Sequence, residues 1–300
     1  MTAAPTTADP WKRLDAWRAN TTSQCGEDGL IAHLLKLLPN TPRTCLEVGA
    51  GNGISLSNTN TLWSKLGWKA LLVEASDSRF AGLKANTAAF PGVVIENAMI
   101  TPRGDTSLDG IARRHGFPRE IGVMSLDIDS NDLEVFENLE WLVPDIVIIE
   151  FNHEIPSHID YRDLPGDLYF RHSAKAVERV ARERGYRIVA CSGPNAILVR
   201  EALITGAVAE ALPDLPVEAL YDYGFMLSRR AFRYRHKMVT SKTLTHDIAL
   251  TGQPNVFVRT TVRLMLWGRR LRAMLRGRST LGASDDRRRA HLARSGFWVT

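Results

Sequence analysis

Thr44-Cys45-Leu46-Glu47-Val48-Gly49-Ala50-Gly51-Asn52-Gly53 is an apolar run that carries one acid and ends with glycine at three alternating positions. A short apolar run closed by such a loop reads as a buried strand. Glycine has no Cβ, so it takes positive φ and lets backbone come close to a ligand. Residues 57–66 follow a helical period, with Ser55 or Ser57 near the cap. Strand, glycine loop and helix make up the first half of a βαβ nucleotide site. A dinucleotide fingerprint of the form G-x-G-x-x-G would need glycine at position 54, where this chain has Ile54. A tight strand-to-helix turn that holds no ligand is the plainer reading of the same glycines.

Outward from this loop the chain alternates. Upstream, Ser23-Gln24-Cys25-Gly26-Glu27-Asp28-Gly29 precedes Leu30, Ile31, Leu34, Leu35 and Leu38, a helical period stopped by Pro39. Downstream, strands are expected at 69–74, 93–97, 121–127 and 145–150, with helices at 77–89, 108–114 and 131–139. The run Asp145-Ile146-Val147-Ile148-Ile149-Glu150 is nearly all β-branched, as a strand buried on both faces should be. A polar loop over 152–167 leads to a helix over 168–184, ended by Gly185. Strands over 186–190 and 195–199 are separated by so short a link that they must be antiparallel. The alternation predicts an α/β fold, a mostly parallel seven-stranded sheet with an antiparallel last strand and helices on both faces.

The 300 residues are 44% hydrophobic and 24% charged, the profile of a soluble globular protein. No run of about 18 apolar residues is present, which argues against a transmembrane helix. The first residues lack a basic region followed by an apolar one, so no secretory signal is expected. Cys25, Cys45 and Cys191 show no C-x-x-C spacing. They fit a reduced, cytoplasmic setting rather than a disulfide framework or a zinc site. The net charge of +5 is uneven: 256–300 hold 11 Arg, no Lys and 2 Asp, or +9, so the remainder carries −4. An acidic core with a basic tail is not a nucleic-acid footprint.

Candidate site residues collect at strand ends, where ligands bind in open α/β sheets. Glu74 ends the second strand, placed to accept bonds from a ribose diol; an acid capping the next helix is the alternative. Asn97 and Ala98 end the third, where such folds contact adenine. Asp127-Ile128-Asp129-Ser130-Asn131-Asp132 ends the fourth and Glu150-Phe151-Asn152-His153-Glu154 the fifth. Asp127, Asp129, Glu150 and Asn152 are hard oxygen ligands suited to Mg²⁺, Mn²⁺ or Ca²⁺. A metal there could grip two hydroxyls and lower the pKa of one. Helix capping by Asp129 or Ser130 uses the same residues. Asp127 and His153 are candidate catalytic groups, and His158 a further candidate base, since histidine titrates near neutrality.

The segments S-Q-x-G-E-D-G, E-V-G-A-G-N-G, L-D-I-D-S-N-D, P-D-I-V-I-I-E-F-N and R-G-Y-R-I-V-x-C…N-A-I-L-V-R resemble the FkbM-like family of class I S-adenosylmethionine (SAM) methyltransferases over about 23–200. The acid-x-Gly-x-Gly-x-Gly pattern itself looks like motif I of that class. The resemblance implies a Rossmann-like class I methyltransferase fold and O-methylation of a sugar, glycoside or related natural product. It implies Gly49, Gly51 and Glu74 in a SAM site, to which the reading of the loop and strand ends adds Glu47, Gly53, Asn97 and Ala98, and it implies an acceptor region with Asp127, Asp129, Glu150 and Asn152. Ser130-Asn131 stand where the family more often has an aromatic residue or glycine.

Three regions are expected: a disordered segment 1–22, a SAM-binding domain 23–200, and an extension 201–300 with a basic amphipathic helix at about 258–276. Leu264, Trp267, Leu271 and Met274-Leu275 share one face of that helix, among Arg263, Arg269, Arg270, Arg272 and Arg276. Such a helix can dock on the catalytic domain, join two subunits, bind an acidic polymer, or lie on the anionic inner face of a membrane. The expected partners are a small-molecule or glycan acceptor and this membrane surface; a homo-oligomer is open. The rival functions are a dinucleotide-dependent oxidoreductase, which Ile54 disfavours, and a noncatalytic binding module serving the tail.

Overall fold

In a computed structural model the described residues are 14–222, apart from 130, 154, 156 and 165–170. The tail helix expected at 258–276 lies outside them, as does most of the 201–300 extension. The described residues up to Phe151, with Val177–Tyr221, form one unit; Asn152–Ala176 belong to another.

The first unit is a seven-stranded sheet: β1 (Thr44–Val48), β2 (Lys69–Val73), β3 (Val93–Glu96), β4 (Glu120–Leu126), β5 (Val143–Glu150), β6 (Tyr186–Ser192) and β7 (Asn195–Arg200), in the order β3-β2-β1-β4-β5-β7-β6. Strands β1 to β5 pair parallel, while β7 runs antiparallel to both β5 and β6. This is the Rossmann-like, mostly parallel seven-stranded sheet with an antiparallel last strand that the alternation of elements predicts. The order reverses at β1, between β2 and β4, and in open α/β sheets the ligand crevice forms at that switch point.

Helices α1 (Glu27–Leu37), α2 (Asn60–Ser64), α3 (Asp77–Thr87), α4 (Leu108–Arg114), α5 (Asp132–Glu137) and α6 (Ala174–Glu183) connect the strands; α7 (Ala207–Ala211) and α8 (Val217–Leu220) follow β7. One core cluster joins Leu30, Ile31 and Leu34 of α1 to Cys45, Val123, Ile148 and Ile197 of the sheet. Each of these α1 side chains is nearly fully buried, which stabilises the fold by about 1.5–3 kcal/mol apiece. The opposite face buries Leu46, Leu71, Met124, Val147 and Leu198.

Strand positions agree with the sequence reading to within two residues, but two helices start well inside their expected bounds. The helix expected at 57–66 is confined to Asn60–Ser64, because the buried Glu47 carboxylate engages Ser57, Asn58 and Thr59. The helix expected at 168–184 is seen from Ala174, where the Ser173 hydroxyl accepts the N–H of Ala176 at 3.1 Å; 165–170 are outside the described residues. Within the segment expected to be disordered, 14–22 are tied down. The Trp17 ring stacks on His33 with centroids 4.2 Å apart, and Arg18 donates to the Cys191 carbonyl at 2.6 Å. No described helix is long and apolar enough to cross a membrane.

Candidate functional site

Gly49, Gly51 and Gly53 all have positive φ, at 73°, 57° and 79°. The N–H groups of Gly49 and Ala50 donate to the Val73 carbonyl at the end of β2, and Gly53 closes a turn onto Ala50 at 2.8 Å. A Cβ on Gly49 would stand 1.8 Å from the Asp127 carbonyl oxygen, and one on Gly53 2.8 Å from Leu83 Cδ1. A Cβ on Gly51 would meet nothing within 4 Å. The outer two glycines therefore let the loop pack on β4 and α3, and the middle one leaves a cradle open.

Glu74 is buried beside that cradle. Its Oε2 accepts the Gly51 N–H at 2.7 Å and its Oε1 the Ser76 N–H at 2.7 Å. A carboxylate has about four acceptor sites, so two remain for hydroxyl donors. Asn97 donates to the Glu74 carbonyl at 2.9 Å and clamps the ends of β2 and β3 together; Ala98 is half-buried beside it. These residues suit a nucleoside with a vicinal diol at the glycine loop.

Glu47 lies beneath the loop. Its carboxylate accepts from Ser57 Oγ at 2.6 Å, Thr59 Oγ1 at 2.7 Å and the Asn58 N–H at 2.8 Å. Burial pushes the carboxyl up from its usual range, and Asp127 pushes the same way, against the pull of the three donors. Glu47 thus has three protein donors that organise 57–59, a role its position in the motif does not announce.

At the ends of β4 and β5, Asp127, Asp129 and Glu150 bring one carboxylate oxygen each to within 4.8 Å of one another. Asp129 has φ 58°, which turns the chain sharply after β4. Three hard oxygens this close are a donor set for a divalent cation. Asn152 and His153, expected at the same site, belong to the second unit. There the Asn152 N–H donates to the His172 carbonyl at 2.8 Å.

The sequence reading missed Asn58, Ser125 and Asn195. Asn58 donates to Ser125 Oγ at 3.0 Å. Asn195 pairs directly opposite Glu150. Side chains alternate along a strand, so Glu47, Ser125, Glu150 and Asn195 share the sheet face of the core residues Cys45, Val123, Ile148 and Ile197. For Ser125 and Asn195 the available signal was a polar residue at an inward-facing position of an otherwise apolar strand.

No protein-family model matches the chain, and neither does any curated protein. Solved structures do resemble it. The CMeT domain of the citrinin polyketide synthase is 16% identical with a TM-score of 0.38, covering 58% of this chain and 51% of its own. This chain thus spans about half the length of that relative. A SAM-dependent methyltransferase from Aquifex aeolicus is 16% identical with a TM-score of 0.34, covering 64% and 92%. The CcbJ methyltransferase from Streptomyces caelestis is 12% identical with a TM-score of 0.39, covering 64% and 96%. At TM-scores below 0.5 these likenesses add nothing to what the strand order and loop geometry already carry.

Proposed function

We propose that the chain is a SAM-dependent methyltransferase of FkbM-like type, acting on a hydroxyl of a sugar, glycoside or related natural product, with Mg²⁺ or Mn²⁺ at the acidic corner. The observation that carries this reading is Gly51, open on its Cβ side with its N–H on the buried Glu74 carboxylate. When bound, SAM supplies a methyl group activated on a sulfonium sulfur. The glycine loop binds the cofactor through backbone, Glu74 accepts the ribose hydroxyls, and Asn97 and Ala98 border the base. Asp127, Asp129 and Glu150 would hold the ion, whose charge lowers the pKa of the acceptor hydroxyl. Asp127 takes the acceptor's O–H proton as the oxygen gains the methyl group. The products are a methyl ether, neutral S-adenosylhomocysteine and one proton on the carboxylate. His153 is the other base suggested by the sequence, and His153→Ala tests that role.

The test is a thermal-shift titration with SAM and with NAD, followed by transfer of radiolabelled methyl to a panel of glycosides. Stabilisation by SAM and labelled product are expected. Stabilisation by NAD alone would overturn the reading and favour an oxidoreductase.

A further inference from the structure

We propose that residues 20–28, which overlap the S-Q-C-G-E-D-G segment, form a two-armed brace at the carboxyl edge of the sheet. Asp28 positions the glycine loop, and Glu27 positions the β6–β7 hairpin beside Glu150. The link from Asp28 to cofactor affinity rests on the methyltransferase reading; the brace itself does not.

Asp28 is 8% exposed. Its Oδ2 accepts the backbone N–H groups of Thr21, Thr22 and Ser23, each at 2.8 Å, and Ser23 Oγ at 2.7 Å. Its Oδ1 accepts Thr61 Oγ1 of α2 at 3.1 Å. One carboxylate thus folds the turn and ties it to the helix after the glycine loop. A second tie runs from Thr22 Oγ1 to the Ser57 carbonyl at 3.0 Å. Within α2, Asn60 Nδ2 donates to the Gly53 carbonyl at 2.7 Å. Asp28 therefore connects to the glycine loop through one short relay, Thr61 with Asn60, and Thr22 adds a tie to Ser57 just beyond the loop.

Glu27 is fully buried and reaches the other way. Its Oε1 accepts Ser192 Oγ at 2.9 Å and Asn195 Nδ2 at 2.8 Å, and its Oε2 accepts the Cys25 N–H at 2.7 Å. Asn195 stands opposite Glu150 in the β5–β7 ladder. Strands β4 and β5 lie between β1 and β7, so the two arms straddle the strand ends that carry Asp127, Asp129 and Glu150. The glycines of the segment let the brace sit close to the preceding chain. A Cβ on Gly26 would be 2.5 Å from Arg18 Cβ, and one on Gly29 2.0 Å from the Trp17 carbonyl oxygen.

Hydrogen exchange of the full chain, read by mass spectrometry, tests the brace, and calorimetric titration with S-adenosylhomocysteine tests its consequence. Asp28→Asn and Thr61→Val should speed exchange of the 57–61 amides about tenfold, the scale of losing one hydrogen bond to a charged group. Both should weaken S-adenosylhomocysteine by a similar factor. Glu27→Gln should speed exchange in the hairpin around 192–195 and leave 57–61 at the wild-type rate. Asp109→Asn is the control: its carboxylate accepts the N–H groups of Glu140, Trp141 and Leu142, so its loss should change neither readout. Should Asp28→Asn not fold, Thr61→Val, which keeps the bonds to 21–23, carries the same test. Wild-type exchange at 57–61 in a folded Asp28→Asn or Thr61→Val protein would overturn the proposal, as would equal loosening in Asp109→Asn. If the wild type fails to bind S-adenosylhomocysteine, the methyltransferase reading falls, and the exchange pattern still decides the brace.

Discussion

Gly49, Gly51 and Gly53 share positive φ but not the reason for being glycine. The first avoids the Asp127 carbonyl, the last avoids Leu83, and Gly51 alone faces open space. Gly51→Val should therefore fold, at some cost in stability from left-handed strain, and lose SAM affinity by about 100-fold or more, since overlap of the new side chain with the cofactor costs on the order of 3 kcal/mol. Calorimetric titration checks this, and wild-type affinity in the folded variant would end the assignment of Gly51 as a cofactor contact. Gly49→Ala should instead show its damage in thermal stability, because its Cβ would overlap backbone. The spacing of the glycines was legible in the sequence; which of them is open on its Cβ side was not, because for Gly49 that depends on the end of β4, some 78 residues further on. Asp127→Asn should lower turnover by about 100-fold or more, the range for loss of a general base, while SAM affinity changes little. Turnover that survives exhaustive chelation would remove the ion from the proposal and leave the carboxylates acting as base and hydroxyl ligands.

Among the elements, the strands were the most legible, because their apolar runs are short, β-branched and closed by turns. Helix starts were less so, because a buried acid can capture the residues that would form the first turn. At α2 this is Glu47, whose bonds to Ser57, Asn58 and Thr59 join positions 10 to 12 residues apart. The same residue predicts a pH dependence. Its carboxyl is raised above the ordinary 4.5, first by burial, while its donors pull it down. A raised carboxyl contributes stability that is fully present below 4.5 and is lost as pH rises through the folded value. Asp28 has the opposite sign. Burial acts to raise it, but the bonds from 21–23 outweigh burial and hold it below 3.8. Its contribution is present above 3.8 and lost as pH falls through the folded value. Melting temperatures between pH 3 and 8 should show Glu47→Gln gaining on the wild type as pH rises above 4.5. The deficit of Asp28→Asn should shrink toward the acid end. Parallel curves for either variant and the wild type would refute the assignment for that residue.

For the whole molecule, the alternation of periods specified the sheet, and the strand reading put Asp127, Asp129 and Glu150 at the ends of β4 and β5, where they lie. It did not reveal the brace, because Glu27 meets its partners 165 and 168 positions away, and no local pattern encodes such a pairing. The charge division is legible only at this scale: the first 255 residues carry −4 and the last 45 carry +9. Seven arginines between Arg259 and Arg278, with no acid among them, would each add about 1 kcal/mol near an anionic bilayer. Internal docking of the same segment would bury its Leu264, Trp267 and Leu271 and would not depend on lipid charge. We propose the membrane reading, which predicts that the full chain floats with liposomes containing anionic lipid at low salt. It should dissociate as salt shortens the screening length, and ignore neutral liposomes. A chain ending at Gln253 should stay in the liposome-free fraction throughout. If the two chains are recovered equally without liposomes at low salt, the arginines serve an internal or subunit contact. The truncated chain should then lose thermal stability or change its mass in solution.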